Sequence, residues 1–489
     1  MSMRLLFCCE FYFPSVGGVQ EVMRQIAEQM VARGHEVTVA TSRLADRHIS
    51  NLNGVNIIEF GVSGNHVNSI LGEIERYQEF VANFPCDVVM IKAAQQWTFD
   101  GLWAVLDRIK ARKVFIPCGF SGLYEPVYRQ YFNDLPEILR RFDHLIFYAE
   151  SYRDIDFVRR HDISNFSILP NGASEQEFNV APDPSFRFRH GIPEESFLVL
   201  TVGSLTGVKG HLECAEAYAR INTRGRHTSF VMCGNKPSQS VVEASTSFEP
   251  ECVVSKPATA SPVPAWIKRR INRIFGLTYR SVGVFRREGF YGVLQRLWTR
   301  FAGVMLGLFT STVGVALSLN ENAFLLKTAK PLDYWVDNAR RQANTKQLLQ
   351  MDLPRAELVQ AFMAADLFVF ASNIEYSPLV LFEAAAAGTP FLSVPVGNAE
   401  EIARWTGGGM ICPAPKDERG FTRVNPRLLA NAIESVMGRR AELRQMGEHA
   451  RNIWSREFTW TVIAARYEHV LQGDPALGYV NPSSVPATE

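Results

Sequence analysis

The sequence has almost no net charge: 51 Lys+Arg against 50 Asp+Glu leave +1 over 489 residues. That excludes a molecule-wide basic field of the kind nucleic-acid binders use, so no nucleic-acid partner is expected. With 47% hydrophobic and 21% charged residues, the chain also lacks the weak hydrophobicity and high charge that keep a chain unfolded. Its eight cysteines contain no C-x-x-C pair, and Cys8 and Cys9 are adjacent in an apolar run that reads as a strand. At about 150 residues per domain the chain is about three domains long, a size that needs no disulfide staples. Free, buried thiols in a reducing compartment are expected. No zinc spacing and no H-E-x-x-H occurs among the ten His, so a bound metal is not expected. The opening Met1–Cys9 stretch, followed by Glu10-Phe-Tyr-Phe-Pro14, lacks a small-residue cleavage site, and a secretory signal is not expected. The starting class is a cytoplasmic α/β protein.

What is there is an alternation of short apolar runs with helical stretches, the pattern of a doubly wound parallel sheet. Strand candidates in the first third are Arg4–Cys9, Glu36–Thr41, Val55–Phe60, Asp87–Lys92, Lys113–Pro117, His144–Ala149 and Ser167–Leu169. Val19, Val22, Met23, Ile26, Ala27, Met30 and Val31 recur at helical spacing and close at Gly34, an amphipathic helix with a glycine at its C-terminal end. A second series begins with strand Phe197–Val202, helix Leu212–Ile221 and strand Ser229–Cys233. It returns with strand Asp366–Ala371, helix Pro378–Ala387 and strand Phe391–Val396. Two such series predict two Rossmann-like domains, hinged between the turn dipeptide Asn171-Gly172 and about Pro193.

Between Gly234 and about Asn344 the rhythm stops. Residues 238–264 are rich in Ser, Pro, Thr and Ala, as in a flexible linker. Residues 266–300 hold nine Lys and Arg against the single acid Glu288, a local charge of +8, interleaved with aromatic residues. Phe301–Leu319 then runs 19 residues without a charge, long enough for a membrane span. A single crossing is excluded, because strands Phe197–Val202 and Asp366–Ala371 must share one sheet. An even number of passes, a re-entrant element, helices lying in the interface, or a buried helical subdomain all remain open. Basic and aromatic residues beside an apolar run are what interfacial attachment to anionic lipid requires.

Three constellations carry chemistry. In Asn373-Ile-Glu375-Tyr-Ser377-Pro378-Leu379-Val380-Leu-Phe-Glu383-Ala-Ala-Ala-Ala-Gly388-Thr-Pro390, Ser377 suits an N-cap, Pro378 the first helical position and Gly388 the C-terminal end. A helix then starts at a strand's carboxyl edge, where α/β sheets bind ligands. The free amides of Leu379 and Val380 and the positive dipole end suit a phosphate. Glu383 lies about 8 Å further along the helix, so the two carboxylates suit two hydroxyl-bearing parts of one ligand, although spacing alone favours an ordinary surface acid plus a helix acid. In Val202-Gly203-Ser-Leu-Thr-Gly207-Val208-Lys209-Gly210, small residues permit close backbone approach and Lys209 supplies a point charge. It is not a P-loop, since Val208 and Gly210 flank the lysine. The third, Gly17-Gly18, is a turn between strand and helix without G-x-G-x-x-G, which argues against a dinucleotide dehydrogenase. Asp154-Ile-Asp156 matches a D-x-D metal pattern, but with Arg153, Arg159 and Arg160 at hand it reads as a solvated helix face.

Together these motifs resemble the GT-B retaining glycosyltransferases of family 4 (glycosyl transferases group 1). The resemblance also rests on Leu169-Pro-Asn-Gly172, Ala365-Asp366 to Ser372, Val396-Gly397-Asn-Ala-Glu-Glu401, Met446-Gly-Glu-His-Ala-Arg451 and Phe458-Thr-Trp460. It implies an N-terminal acceptor-side domain over 1–180 and a C-terminal nucleotide-sugar domain over 181–472. The second is interrupted by the hydrophobic and basic helical insertion at 236–344, and a flexible tail follows at 473–489. The two domains would face each other across a cleft, with a terminal helix near 461–471 crossing back. It further implies donor contacts from Gly17, Gly18, Gly203, Lys209, Glu375, Ser377, Leu379, Val380 and Glu383. Lys209 would sit on the diphosphate, Glu375 on the donor sugar and Glu383 on the ribose, with Lys209 and Glu375 the catalytic pair. No protein nucleophile, metal or cofactor is implied, the nucleotide-sugar being a substrate.

The sequence departs from that pattern at Ser204, where many members carry Arg, at Asn398, Ser174, and Cys118-Gly119, where His-Gly is common; the acceptor-side chemistry stays unassigned. The function expected is sugar transfer from a nucleotide-diphosphate donor to a saccharide or lipid-linked acceptor, in polysaccharide or glycolipid synthesis. The enzyme would be peripheral or monotopic on the cytoplasmic membrane face through 266–319. The alternatives are a sugar-nucleotide epimerase or phosphorylase of the same fold, or a membrane-bound scaffold without turnover.

Overall fold

The computed structural model describes residues 2–234, 330–417 and 420–474. The first half holds β1 (Arg4–Cys8), β2 (Glu36–Ser42), β3 (Asn51–Leu52), β4 (Val55–Phe60), β5 (Val62–Ser63), β6 (Leu71–Gly72), β7 (Val88–Lys92), β8 (Arg112–Ile116), β9 (His144–Phe147) and β10 (Phe166–Ile168). β1 is buried at four of five positions and β7 at all five. Such continuous burial, without alternation, belongs to a parallel sheet covered on both faces. The eight strands of the main sheet run β10-β9-β8-β7-β1-β2-β4-β3, parallel except for the short edge strand β3; β5 and β6 form a separate antiparallel pair. β1 lies between β2 and β7, so the order reverses there and opens a crevice at its carboxyl end.

Helix Gly18–Ala32 fills that crevice's flank. Val22, Met23, Ile26, Ala27 and Met30 are buried on one face, each side chain contributing about 1.5–3 kcal/mol relative to exposure. The helix ends where Gly34 takes φ +89° and donates to Val31 O at 2.9 Å. One apolar core runs under this helix and on into the second half, while Tyr77, Trp97 and Phe115 belong to a separate core on the opposite face of the sheet.

The second half holds β11 (Phe197–Val202), β12 (Thr228–Cys233), β13 (Lys346–Met351), β14 (Leu367–Phe370), β15 (Phe391–Ser393) and β16 (Gly409–Ile411). They form one parallel sheet in the order β13-β12-β11-β14-β15-β16. Its switch point lies at β11 and β14, so the loops after these two strands share one crevice. The α/β order resumes earlier than the expected end of the insertion at 344. Helix Leu332–Arg340 precedes β13, and the Arg220 guanidinium lies 4.8 Å over the Trp335 ring, joining it to helix His211–Arg220. The basic and apolar segment 266–319 and the tail beyond Asp474 lie outside the described residues.

The chain crosses back at its end. Helix Trp460–Gln472 carries Glu468, which takes Arg33 at 2.6 Å and His35 at 2.9 Å from the first half. Among the described residues, no helix is long and apolar enough to cross a membrane.

Candidate active site

The loops after β11 and β14 are stitched together. Asn373 N donates to Val208 O at 2.8 Å. Gly210, at φ +76°, passes so close to β14's end that a Cβ would lie 2.1 Å from Ala371 O. This approach brings Lys209 Nζ to 2.5 Å from Glu375 Oε1, with Ser372 Oγ 3.2 Å from the same oxygen. The side chains of Lys209 and Glu375 are 28% and 17% exposed, so both keep some access to solvent. Gly203 lies beneath the lysine, where a Cβ would meet Lys209 Cβ at 3.3 Å.

Helix Leu379–Ala387 begins at the same edge, and its first amides, those of Leu379 and Val380, have no carbonyl four residues back within the helix. Its far end closes at Gly388 with φ +75°. Ser377 is not its cap. Pro378 is the last non-helical residue, and Ser377 Oγ makes no hydrogen bond among the described residues. The Ser377 carbonyl instead accepts from Asn171 of the first half at 3.1 Å, which fixes the chain ahead of the helix. Gly18 comes up from the other half, where a Cβ would lie 3.9 Å from Leu379 Cδ1. Gly17 beside it is extended. The carboxyl edges of the two sheets therefore meet at this helix start.

Glu383 is mostly enclosed. Its side chain is 12% exposed, and Oε1 accepts from Arg355 Nη2 at 2.6 Å; Arg355 also holds Glu177 at 2.8 Å. The reason is helical phase, because the flanking run Leu381–Ala386 is buried and turns Glu383 toward the neighbouring helix Arg355–Ala364. Arg355 stands after β13, a strand absent from the sequence expectation, so its role was not visible there.

Asp154 also departs from expectation. It is fully buried, not a solvated face, and its Oδ2 accepts from Gly119 N at 2.8 Å. Burial pushes its carboxyl up to about 6. Asp156 is the half-buried member, 3.5 Å from Arg159. Glu401 of the second half accepts from the Glu150 and Ser151 amides at 2.8 and 3.0 Å, and burial outweighs these bonds to push it up to about 7. Asn398 donates to Tyr148 O at 2.9 Å. On the first sheet's edge, burial with Asp100 nearby pushes Glu10 up to about 7, and burial pushes Asp100 up to about 6. Among the described residues no group of three or more His, Cys, Asp or Glu is placed to hold a metal.

Two doubly wound domains that turn their ligand edges toward one shared site define the GT-B class of glycosyltransferase. Residues 327–453 match the glycosyl transferases group 1 profile, and residues 16–177 match glycosyltransferase family 4. A glycogen synthase of Mycobacterium tuberculosis is 31% identical over 133 residues, which are 27% of this chain and 30% of that protein. In solved structures, sucrose-phosphate synthase from Thermosynechococcus elongatus superposes with a TM-score of 0.61 at 15% identity, covering 96% of this chain and 98% of that one. Anabaena HepE in complex with UDP-glucose does so with a TM-score of 0.58 at 14% identity, covering 96% and 100%. The chain belongs to the family 4, group 1 glycosyltransferases.

Proposed function

We propose that this protein is a retaining glycosyltransferase that moves a sugar from a nucleotide-diphosphate donor to a saccharide or lipid-linked acceptor at the cytoplasmic membrane face. The observation that carries the reading is the convergence of Lys209, Glu375 and the start of helix Leu379–Ala387 at one sheet edge, opposite Gly18. Breaking the bond between the sugar's anomeric carbon and the diphosphate oxygen loads negative charge onto the leaving group. Lys209 and the first-turn amides of Leu379 and Val380 stabilise that charge without a metal. The acceptor hydroxyl attacks from the face the diphosphate leaves, its proton passing to a diphosphate oxygen, so configuration is kept and no protein nucleophile is needed. Glu375 holds hydroxyls of the donor sugar. Glu383, with Oε1 on Arg355, offers Oε2 to the ribose, since that oxygen has no hydrogen bond among the described residues.

HepE's complex with UDP-glucose and the match to a glycogen synthase favour a nucleoside-diphosphate hexose as donor. Attachment to the membrane rests on the composition of residues 266–319 alone. A thermal-shift panel of nucleotide-sugars tests the reading: selective stabilisation by one donor supports it, and no stabilisation by any sinks it. Donor consumption that requires added acceptor then separates transfer from epimerisation and from mere binding.

A further inference from the structure

Tyr376 sits between Glu375 and Ser377, yet its two ends belong to different halves of the molecule. Its carbonyl is held by the second half: Asn398 N donates to it at 2.9 Å, and Gly397, at φ +56°, passes where a Cβ would lie 2.3 Å away. Its side chain lies in the first half. The ring centroid is 4.8 Å from that of Tyr152 and 5.4 Å from that of Tyr148. The hydroxyl accepts from Tyr148 N at 3.0 Å, and the buried Asp154 carboxylate acts on it electrostatically. Asp154 in turn accepts from Gly119 N. Gly119, at φ +94°, makes room for the ring, because a Cβ there would lie 3.2 Å from Tyr376 Cγ. Tyr152 OH closes the circuit by donating to Glu375 O at 2.7 Å.

Glu375 is thus fixed from two sides, its carboxylate by Lys209 and its backbone by residues of the opposite half. We propose that Tyr376 is a positioning residue that ties the loop bearing Glu375 to the loop Cys118–Gly119, so that the carboxylate is aimed only when the two halves are docked as here. The proposal rests on reading Glu375 as the donor-sugar contact. It predicts that the hydroxyl of Tyr376 acts on turnover and leaves the nucleotide's grip alone, since Lys209 and the helix-start amides are held by the second half without it.

Tyr376→Phe keeps the ring and removes the hydroxyl's bond from Tyr148 N; Asp154→Asn removes the buried negative charge that holds Gly119 N beside the ring. In the free protein, amide hydrogen exchange at Tyr148 should rise on the order of tenfold or more in Tyr376→Phe, because that amide loses its partner, while exchange in β1 stays unchanged. With the nucleotide-sugar selected by the panel, kcat should fall on the order of tenfold or more, with affinity for the corresponding nucleoside diphosphate kept within about twofold. The double variant should be no slower than the slower single one, as both act on one link. Unchanged exchange at Tyr148 overturns the tie. Faster exchange with unchanged kcat overturns the positioning role, and equal losses in kcat and nucleoside-diphosphate affinity show general damage instead. If the wild-type protein binds no nucleotide-sugar, the functional reading has failed, and the exchange result still decides whether the tie exists.

Discussion

Replacing Lys209 by Met removes one positive charge and keeps a stem of similar length. In the resting protein the charge is 2.5 Å from Glu375 Oε1, with the two side chains 28% and 17% exposed. A partly exposed ion pair of this kind contributes about 0–1 kcal/mol, and Ser372 Oγ remains beside Glu375 after the substitution. For a chain this long, that corresponds to a Tm shift of about 2 °C or less. In the proposed transfer the same ammonium would face a diphosphate that gains charge as the bond breaks. Losing one preorganised donor to developing charge costs on the order of 100- to 1000-fold in kcat, about 2.7–4 kcal/mol. The substitution should therefore act far more on turnover than on stability. Steady-state kinetics with saturating acceptor, beside a thermal melt of the same preparation, reads both numbers. Lys209→Arg should recover part of the rate, because charge returns with a different donor geometry. A kcat loss under threefold together with a Tm drop above 5 °C would refute the argument and make Lys209 a structural counter-ion of Glu375.

Glu383→Gln should weaken donor binding on the order of tenfold with little loss of fold, because Arg355 keeps Glu177; equilibrium binding of the bare nucleoside diphosphate checks it, and unchanged affinity removes Glu383 from the site. Stability should rise as pH falls from 8 to 6. Glu10 and Glu401, raised to about 7, and then Asp100 and Asp154, raised to about 6, hold protons in the folded state at a pH where the unfolded chain has lost them, so their stabilisation is present at low pH and lost as pH climbs through those values. Melts across this window that fall on acidification contradict it. Transfer should persist in excess EDTA, and loss restored by Mg²⁺ or Mn²⁺ would count against a metal-free site. Deleting 238–330, which spares helix Leu332–Arg340, should release the protein from anionic liposomes and reduce activity on lipid-linked acceptor more than on water-soluble acceptor; full-length protein that ignores such liposomes at low salt ends the membrane proposal.

Much of the scaffold is legible in the sequence because buried parallel strands are continuous apolar runs. β1, β7 and β11 stand within a residue of where those runs lie. β13 is not legible. As an edge strand reading Lys346-Gln-Leu-Leu-Gln-Met351 it needs only part of its surface apolar, and Lys346, though buried, satisfies its ammonium on Ala219 O at 2.8 Å. Missing β13 also hid Arg355, and with it the partner of Glu383. Asp154 looked solvated because three arginines flank it in sequence, whereas its long-range partner, Gly119 N, comes from a distant loop. Motif spacing marked Lys209 and Glu375 separately, but their contact depends on Gly210 passing under β14's end, a long-range approach that no local pattern encodes.

Sugar transfer from a nucleotide-diphosphate donor is the reaction proposed for this site. The direct measurement is release of nucleoside diphosphate from the donor chosen by thermal shift, with and without a saccharide or lipid-linked acceptor, followed by the anomeric configuration of the product by NMR. Release should depend on acceptor, be lost in Lys209→Met, and yield a product with the donor's configuration. Release at the same rate without acceptor, or a product of inverted configuration, would contradict it.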